Sequence, residues 1–277
     1  MLQGLDALAK DPKTRVIVLI SKPPAPEVAE KLLQKAETCG KPVVVNFIGG
    51  DFSSHDNLVF ARTLEEAARH AVSLARNQSF SEVHAFDEGR WQSVIAEEKK
   101  RRSSSQKYLR GLYSGGTLAY EALFLLKPGM SELHSNLSKD PEYKLHDPTQ
   151  SVKHSIIDLG EDEYTVGRPH PMIDHGFRAR RLVQEACDPE TAVILFDLVL
   201  GYGSHPKPLD ELLPAIGKAQ QEAKQRGGHV SVVAYITGTD QDPQDKEEIV
   251  AQPQKNGVLV ASSNGEAAHL ASRLTKV

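Results

Sequence analysis

The sequence predicts an α/β fold made of two doubly wound parallel-sheet domains, the first of them truncated. Two observations carry this. Apolar runs such as Val16–Ile20 and Ala192–Phe196 alternate with amphipathic helical stretches. Strands apolar on both faces must be covered on both sides, which is the parallel-sheet arrangement with helical connections. The chain also repeats itself: AKDPKTRVIVLI at 9–20 and ACDPETAVILFD at 186–197 agree at Ala, Asp, Pro, Thr, Val and Ile, and the segments that follow agree in order.

In the first copy, Met1 falls inside a helix that ends at Asp11-Pro12, since the residue before proline disfavours helix. The strand Val16–Ile20 leads through an amphipathic helix, Pro26–Thr38, to the strand Val43–Ile48 and the turn Gly49-Gly50-Asp51. The run Leu58–Ala61 and a helix carrying Glu66-Ala67-Ala68 complete it. Three strands make a poor free-standing doubly wound sheet, so residues 1–79 read as a partial domain lacking its first two strands. Residues 80–106 read as a helical connector, with a helix over Arg90–Lys100 and the serines 103–105. The basic run Lys99–Arg102 reads as its solvated end.

The second copy, 107–277, is complete. Its strands are Tyr108–Tyr113, His154–Leu159, Ala192–Leu200, Val230–Ile236 and Val258–Ala261. Helices fall at Thr117–Leu126, at Pro208–Gln225 and around Glu266-Ala267-Ala268, where Gly265 stands near the cap position. Five strands with alternating helices is the flavodoxin-like count. Residues 129–150 form a long polar loop.

Composition excludes several classes. At 277 residues, 39% hydrophobic and 25% charged, the chain can bury a core without staples. A net charge of −4 argues against a general nucleic-acid binder. Neither a run long enough to span a bilayer nor a signal-like start is present. Cys39 and Cys187 lie far apart with no ligand spacing, which points to a reduced, cytoplasmic setting.

In doubly wound sheets, ligands bind beyond the carboxyl ends of the strands. Three stretches fit. Ser114-Gly115-Gly116-Thr117 follows a strand and opens a helix, where backbone N–H groups and the helix dipole favour an anion; a plain helix cap is the other reading. Gly201-Tyr202-Gly203-Ser204-His205 offers two glycines, a hydroxyl and an imidazole for a phosphate or acyl group; a plain connector is the alternative. In Gly160–His175, prolines fix the loop and Arg168 presents a fork for an anion. His170 and His175 are five apart, unlike a helical metal pair, so no metal is expected. His205 and His170 are the candidate catalytic residues, with a structural role as the competing reading for each. Anion contacts fall to Ser114, Gly115, Gly116, Thr117, Gly201, Gly203, Ser204 and Arg168. His70, His84 and His269 carry no supporting context, and no P-loop or complete GxGxxG follows a strand.

With these residues in hand, the chain resembles the FdrA family, which is similar to succinyl-CoA synthetases. GLYSGGTLAYEA at 111–122, IIDLGEDEYTVGRPHPMID at 156–174, ACDPETAVILFDLVLGYGSHPKP at 186–208 and DPKTRVIVLISKPP at 11–24 carry the resemblance. It implies that the first copy corresponds to an alpha-subunit domain and the second to the homologous beta-subunit domain. It also implies acyl-phosphate or acyl-CoA chemistry, with the helix start at Gly115–Thr117 meeting phosphate and the Gly201–His205 turn nearby. Departures accompany it: the CoA-holding Rossmann domain and the ATP-grasp domain are absent. Where a Gly-His-Ala-Gly phosphohistidine loop is expected, the sequence reads Asp51-Phe52-Ser53-Ser54-His55-Asp56, so His55 inherits no such role. The resemblance therefore implies a ligase-like part of a larger enzyme, binding no cofactor alone, with CoA or an acyl phosphate entering in a complex. Its expected partners are a small anionic substrate and other enzyme subunits, as a homo- or hetero-oligomer. The alternatives are a subunit of an oxamate carbamoyltransferase-type complex and a non-catalytic scaffold subunit. The Ser114–Thr117 and Gly201–His205 loops are expected to converge on one anion site.

Overall fold

The computed structural model describes residues 1–22, 24–80, 86–147 and 149–276, so His84 lies outside the described residues. The chain divides into two compact units, Met1–His84 and Ala85–Val277.

Unit 1 runs α1 (Leu2–Lys10), β1 (Ile17–Ser21), α2 (Pro26–Glu37), β2 (Val43–Phe47), β3 (Leu58–Phe60) and α3 (Leu64–Ala75), with a parallel sheet of order β1-β2-β3. Leu5, Ala29, Leu32 and Ala36 of α1 and α2 pack with Ile17, Leu19, Val45 and Phe47 on one face. Ala67, Ala71 and Leu74 of α3 pack with Val16, Val44 and Val59 on the other. The alternation is the two-residue period of a strand covered on both sides.

Unit 2 runs α4 (Glu88–Arg101), β4 (Tyr108–Tyr113), α5 (Gly116–Leu126), β5 (Leu133–Ser135), β6 (His154–Asp158), α6 (Asp162–Thr165), α7 (Gly176–Cys187), β7 (Thr191–Val199), α8 (Leu209–Gln225), β8 (Ser231–Thr237), α9 (Lys246–Lys255), β9 (Val258–Ala261) and α10 (Asn264–Thr275). Its sheet is parallel, in the order β5-β6-β4-β7-β8-β9. Setting aside the three-residue edge strand β5, this is the 2-1-3-4-5 order of a flavodoxin-like fold, and the strand order reverses between β4 and β7. Helices α7, α8 and α9 bury Leu182, Leu212, Ile216 and Ile249 on one face. Helices α4, α5 and α10 bury Trp91, Ala119, Ala122, Ala267 and Leu270 on the other.

Three details differ from the sequence expectation. The polar loop 129–150 contains β5, whose Leu133 is buried against the sheet edge; three residues in a polar setting give no strand period to read. The helix placed in a connector is part of unit 2: Trp91 is buried, and its indole Nε1 donates to Glu266 Oε1 at 2.8 Å. The last helix is capped by Ser263, whose hydroxyl accepts from the Glu266 amide, while Gly265 lies inside the first turn. Helix α3 is capped alike, Thr63 accepting from the Glu66 amide. In both helices the glutamate reaches back to the amide preceding the cap, Arg62 N and Ser262 N.

The aligned segments also share their register. Ile17, Val43 and Leu58 lie abreast in unit 1, and Ile194, Val232 and Val258 lie abreast in unit 2.

Candidate active site

The chemistry-bearing residues of unit 2 gather at the carboxyl end of its sheet, around the reversal between β4 and β7. Asp197, two residues before the end of β7, is the origin of the arrangement. A charge in the apolar run Ala192–Leu200 is tolerated only if it is paired. Its carboxylate is fully buried and accepts from the Ser114 amide (2.6 Å), the Ser114 hydroxyl (3.1 Å) and the Gly115 amide (2.9 Å). Arg178 Nη1, also fully buried, donates to Asp197 Oδ1 at 3.0 Å and to its carbonyl at 2.5 Å. Burial pushes the Arg178 guanidinium below its ordinary pKa, and Asp197 opposes the shift.

The amides of Ser114, just before the helix cap, and of Gly115, the cap itself, are thus committed to a carboxylate of the protein itself. Gly115 makes no side-chain cap bond, and Asp197 does not reach the amides of the first helical turn, where a capping side chain would bind. Of the four residues expected to meet an anion here, Ser114 and Gly115 are buried on Asp197, while Gly116 and Thr117 are half-buried.

Next in line is His175, the N-cap residue of α7. Its Nδ1 lies 3.1 Å from Arg178 Nη2. A guanidinium only donates, so Nδ1 is the acceptor and the proton sits on Nε2. Burial first, then Arg178 and His205, press the His175 pKa down to about 3, which keeps the ring neutral. The His205 ring follows, 5.4 Å away between centroids. His205 is half-buried; its amide donates to the Met172 carbonyl at 2.8 Å, and its Nδ1 accepts from the Lys207 amide at 3.0 Å. Nε2 therefore holds the proton of the neutral ring, with Glu211 Oε1 at 3.7 Å. That separation is beyond hydrogen-bond distance.

The Gly201–His205 loop is pinned by buried Gln244, which accepts from the Gly201 amide (3.0 Å) and donates to the carbonyls of Gly201 (3.0 Å) and His205 (3.1 Å). Gly201 has φ of 139°, a left-handed conformation open to glycine. Gly203 is exposed and Ser204 half-buried. His170 stands on the neighbouring loop, its Nδ1 accepting from the Met172 amide at 3.2 Å. Its ring lies so close over Gly160 that a Cβ there would come within 2.5 Å of Nε2. Arg168 is exposed, with its guanidinium 4.4 Å from the Phe177 ring centroid.

The loops after β4, β6 and β7 thus all leave the same end of the sheet, linked through Asp197, Arg178, His175 and Met172. Asp197, Arg178, Gln244 and Glu211 belong to the cluster although the motifs of the sequence do not single them out. For Asp197 the signal was present: an acid inside a buried apolar strand. Gln244 sits in a polar stretch and gave none.

Elsewhere, His55 of unit 1 is exposed and bound to Glu37 (2.9 Å) and the Ser53 carbonyl (3.0 Å); Glu37 raises its pKa. His70 stacks on Phe80 at 3.6 Å, and burial lowers the pKa of His269. Among the described residues no helix is long and apolar enough to cross a membrane, and no cluster of three or more His, Cys, Asp or Glu is placed to hold a metal.

Comparison with known proteins locates this geometry. The Escherichia coli (strain K12) protein YahF, itself described as uncharacterized, is 42% identical over 267 residues, covering 95% of this chain and 51% of YahF. Among solved structures, a dinucleotide-forming acetyl-coenzyme A synthetase 1 from Ca. Korarchaeum cryptofilum (apo form) is similar with a TM-score of 0.41 and 18% identity, over 99% of this chain and 55% of that one. PH0766 from Pyrococcus horikoshii OT3 gives a TM-score of 0.38 at 13% identity, with the same coverage. The chain spans about half the length of these relatives. The CoA-ligase family model matches residues 112–274, from the end of β4 to the last turn of α10, and so takes in the whole cluster around Asp197. The chain belongs to the CoA-ligase family.

Proposed function

We propose that the chain is the ligase-like portion of an FdrA-type, acyl-CoA synthetase-like enzyme, handling an acyl phosphate or acyl-CoA together with polypeptide beyond these residues. On this reading the two units are diverged copies, unit 1 alpha-like and unit 2 beta-like. The observation that carries it is the coincidence of the CoA-ligase match, 112–274, with the sheet end where His205, Ser204 and Gly203 meet. In the reaction, a bond from the CoA thiol sulfur to the acyl carbon forms as the carbon–oxygen bond to phosphate breaks. The thiol proton passes to the departing phosphate. In the neutral ring His205 Nε2 carries its proton, so His205 is suited to donate a hydrogen bond to the departing phosphate rather than to take up the thiol proton. Gly203, Ser204 and Arg168 face the anionic substrate in this reading, with Gly116 and Thr117 completing the α5 side.

A second reading, carbamoyl transfer in an oxamate carbamoyltransferase-type complex, is favoured by the segment Asp51–Asp56. That segment lacks the phosphohistidine pattern, and His55 is engaged with Glu37. Transfer from carbamoyl phosphate needs no prior ATP activation.

Titration calorimetry of the full chain with acetyl phosphate and with carbamoyl phosphate tests both. Binding of acetyl phosphate that His205→Gln weakens at least about tenfold supports the first reading, the loss of one charge-assisted hydrogen bond amounting to about 1.4 kcal/mol or more. Binding of carbamoyl phosphate alone moves the assignment to the second. Binding of neither refutes both. On either reading the chain alone yields no acyl-CoA from acid, ATP and CoA.

A further inference from the structure

Unit 2 closes one face of its sheet with α9, and unit 1 has no counterpart to that helix. The connection from β8 to β9 spans 238–257 and contains α9, whose Ile249 is buried in one cluster with Ile236 and Leu212. In the shared register Phe47 stands where Ile236 does, each four residues past the aligned Val43 and Val232. The connection from β2 to β3 is residues 48–57, with no helix in it. Beside it, at the carboxyl end of β2, lies a cavity of about 470 Å³.

One face of α2 and an aromatic wall build this cavity. Pro26, Ala29, Glu30, Leu33, Gln34 and Glu37 line it, a spacing of threes and fours that keeps them on one side of the helix. Buried Phe47 lines it from the sheet. The Phe52 ring stands edge-on to Phe47 at 6.0 Å and stacks on Phe60 at 5.1 Å, yet stays 40% exposed. It can lie there because position 50 is glycine: a Cβ on Gly50 would collide with the ring. The charge at the cavity has one sign. Its lining holds the carboxylates of Glu30 and Glu37 and no cationic side chain. Glu37 is engaged by His55 Nε2 at 2.9 Å. Glu30 has the Gln34 amide at 3.2 Å and no cationic partner among the described residues.

We propose that this cavity binds a small organic amine with an aromatic body, the ring against Phe52 and Phe47 and the ammonium on Glu30. Apolar walls with a few placed polar groups are the make-up of a small-ligand site, and 470 Å³ lies within the usual range of about 300–1,000 Å³. A helix of ten residues like α9 needs a cylinder about 15 Å long and 10 Å across, roughly 1,200 Å³. The space therefore fits a small molecule and not a peptide helix in the place of α9. Carboxylates and phosphates are repelled by the same pair of glutamates that attracts an amine. The site lies outside the CoA-ligase match at 112–274 and does not depend on the reaction proposed above.

Tryptamine is the probe, with indole-3-acetate and 3-methylindole as its anionic and neutral counterparts. Titration of the isotope-labelled full chain by NMR gives each affinity, and nuclear Overhauser contacts from the indole protons to the Phe47 and Phe52 rings give the place. Tryptamine is expected to bind with a Kd of about 1 mM or tighter, about fivefold more tightly than 3-methylindole, with indole-3-acetate weakest. Glu30→Gln should abolish that fivefold margin, whereas Glu65→Gln, on α3 across the sheet, leaves it intact. Phe52→Ala should weaken both tryptamine and 3-methylindole about tenfold. Circular dichroism checks that the variants keep the fold, and the comparison of the three probes on the unaltered chain stands without any variant. The proposal is overturned by equal binding of amine and acid, by binding of neither, by contacts to other rings, by an unchanged margin in Glu30→Gln, or by a dimer in sedimentation that fills the cavity with a second copy.

Discussion

Asp197→Asn is the perturbation that bears most directly on the architecture of the site. The wild-type carboxylate takes two backbone amides, a hydroxyl and a guanidinium, all buried. Asparagine keeps the shape but presents an NH₂ group to one of the amides and removes the countercharge of Arg178. An unpaired buried charge costs roughly 3–5 kcal/mol, and a buried donor left without an acceptor about 1–3 kcal/mol. These overlap, since the remaining oxygen still serves part of the set, so about 4 kcal/mol is the expected loss. For a unit of this size that lowers Tm by about 8–16 °C. The chain contains one tryptophan, Trp91, and it is buried in the core of unit 2. Urea unfolding followed by its fluorescence therefore reads this unit alone. Adding Arg178→Met removes the orphaned cation, so the double variant should be more stable than Asp197→Asn by about 2 kcal/mol. A single variant within about 1 kcal/mol of wild type, or a double variant showing the full sum of two losses, would refute the reasoning.

Other consequences are equally direct. Gln244→Ala removes three hydrogen bonds that pin the Gly201–His205 loop; it should cost about 2–3 kcal/mol in urea unfolding and speed amide exchange across that loop. His175 is held neutral, with its pKa down to about 3, so its stabilising contribution is full above about pH 6.5 and fades as pH falls toward 3. Between pH 6.5 and 5 this amounts to about 2 kcal/mol, a pH slope that His175→Gln should flatten in urea titrations. Trp91→Phe deletes the donor to buried Glu266 and should cost about 1–3 kcal/mol by circular dichroism. Arg168→Ala loses only an exposed stack on Phe177, within about 1 kcal/mol; stability should barely move while acyl-phosphate affinity falls.

Legibility in the sequence followed burial. Val258–Ala261 is a strand with those bounds, because unbroken apolar character has one explanation in a parallel sheet; Tyr108–Tyr113 keeps its bounds too, its buried Arg110 being paired with Glu185 and Asp188. β5 was hidden because three residues carry no period. Helix α4 could be recognised but not placed: its surface is mostly charged, and Trp91, with partly buried Val94 and Ile95, anchors it in the core. For the site, the loops could be located because glycine, proline and histidine cluster after strands. Their hydrogen-bond partners could not, because Asp197 reaches back to Ser114, a pairing across 83 residues that only the strand order creates. Spacing along the chain carries no information about such a pair.

That pairing also accounts for why the two units differ at the same sheet position. Where the register is shared, unit 2 has Asp197 and unit 1 has Ile20. An acid at this point can be buried only if donors arrive from the next strand, and β4 with α5 supplies them, with Arg178 closing the other side. Once buried, the pair orients Arg178, Arg178 fixes the tautomer of His175, and His175 packs beside His205. Among the described residues unit 1 has Ile20 in place of the acid, and no such chain begins there. An Ile20→Asp substitution would place a carboxylate at an exposed edge, where water solvates it without any structural consequence. The chain alone should tolerate it with a change of no more than about 0.5 kcal/mol, whereas Asp197→Ile should unfold unit 2 at temperatures where wild type is intact. Equal tolerance at both positions would mean that the buried acid does not organise the site.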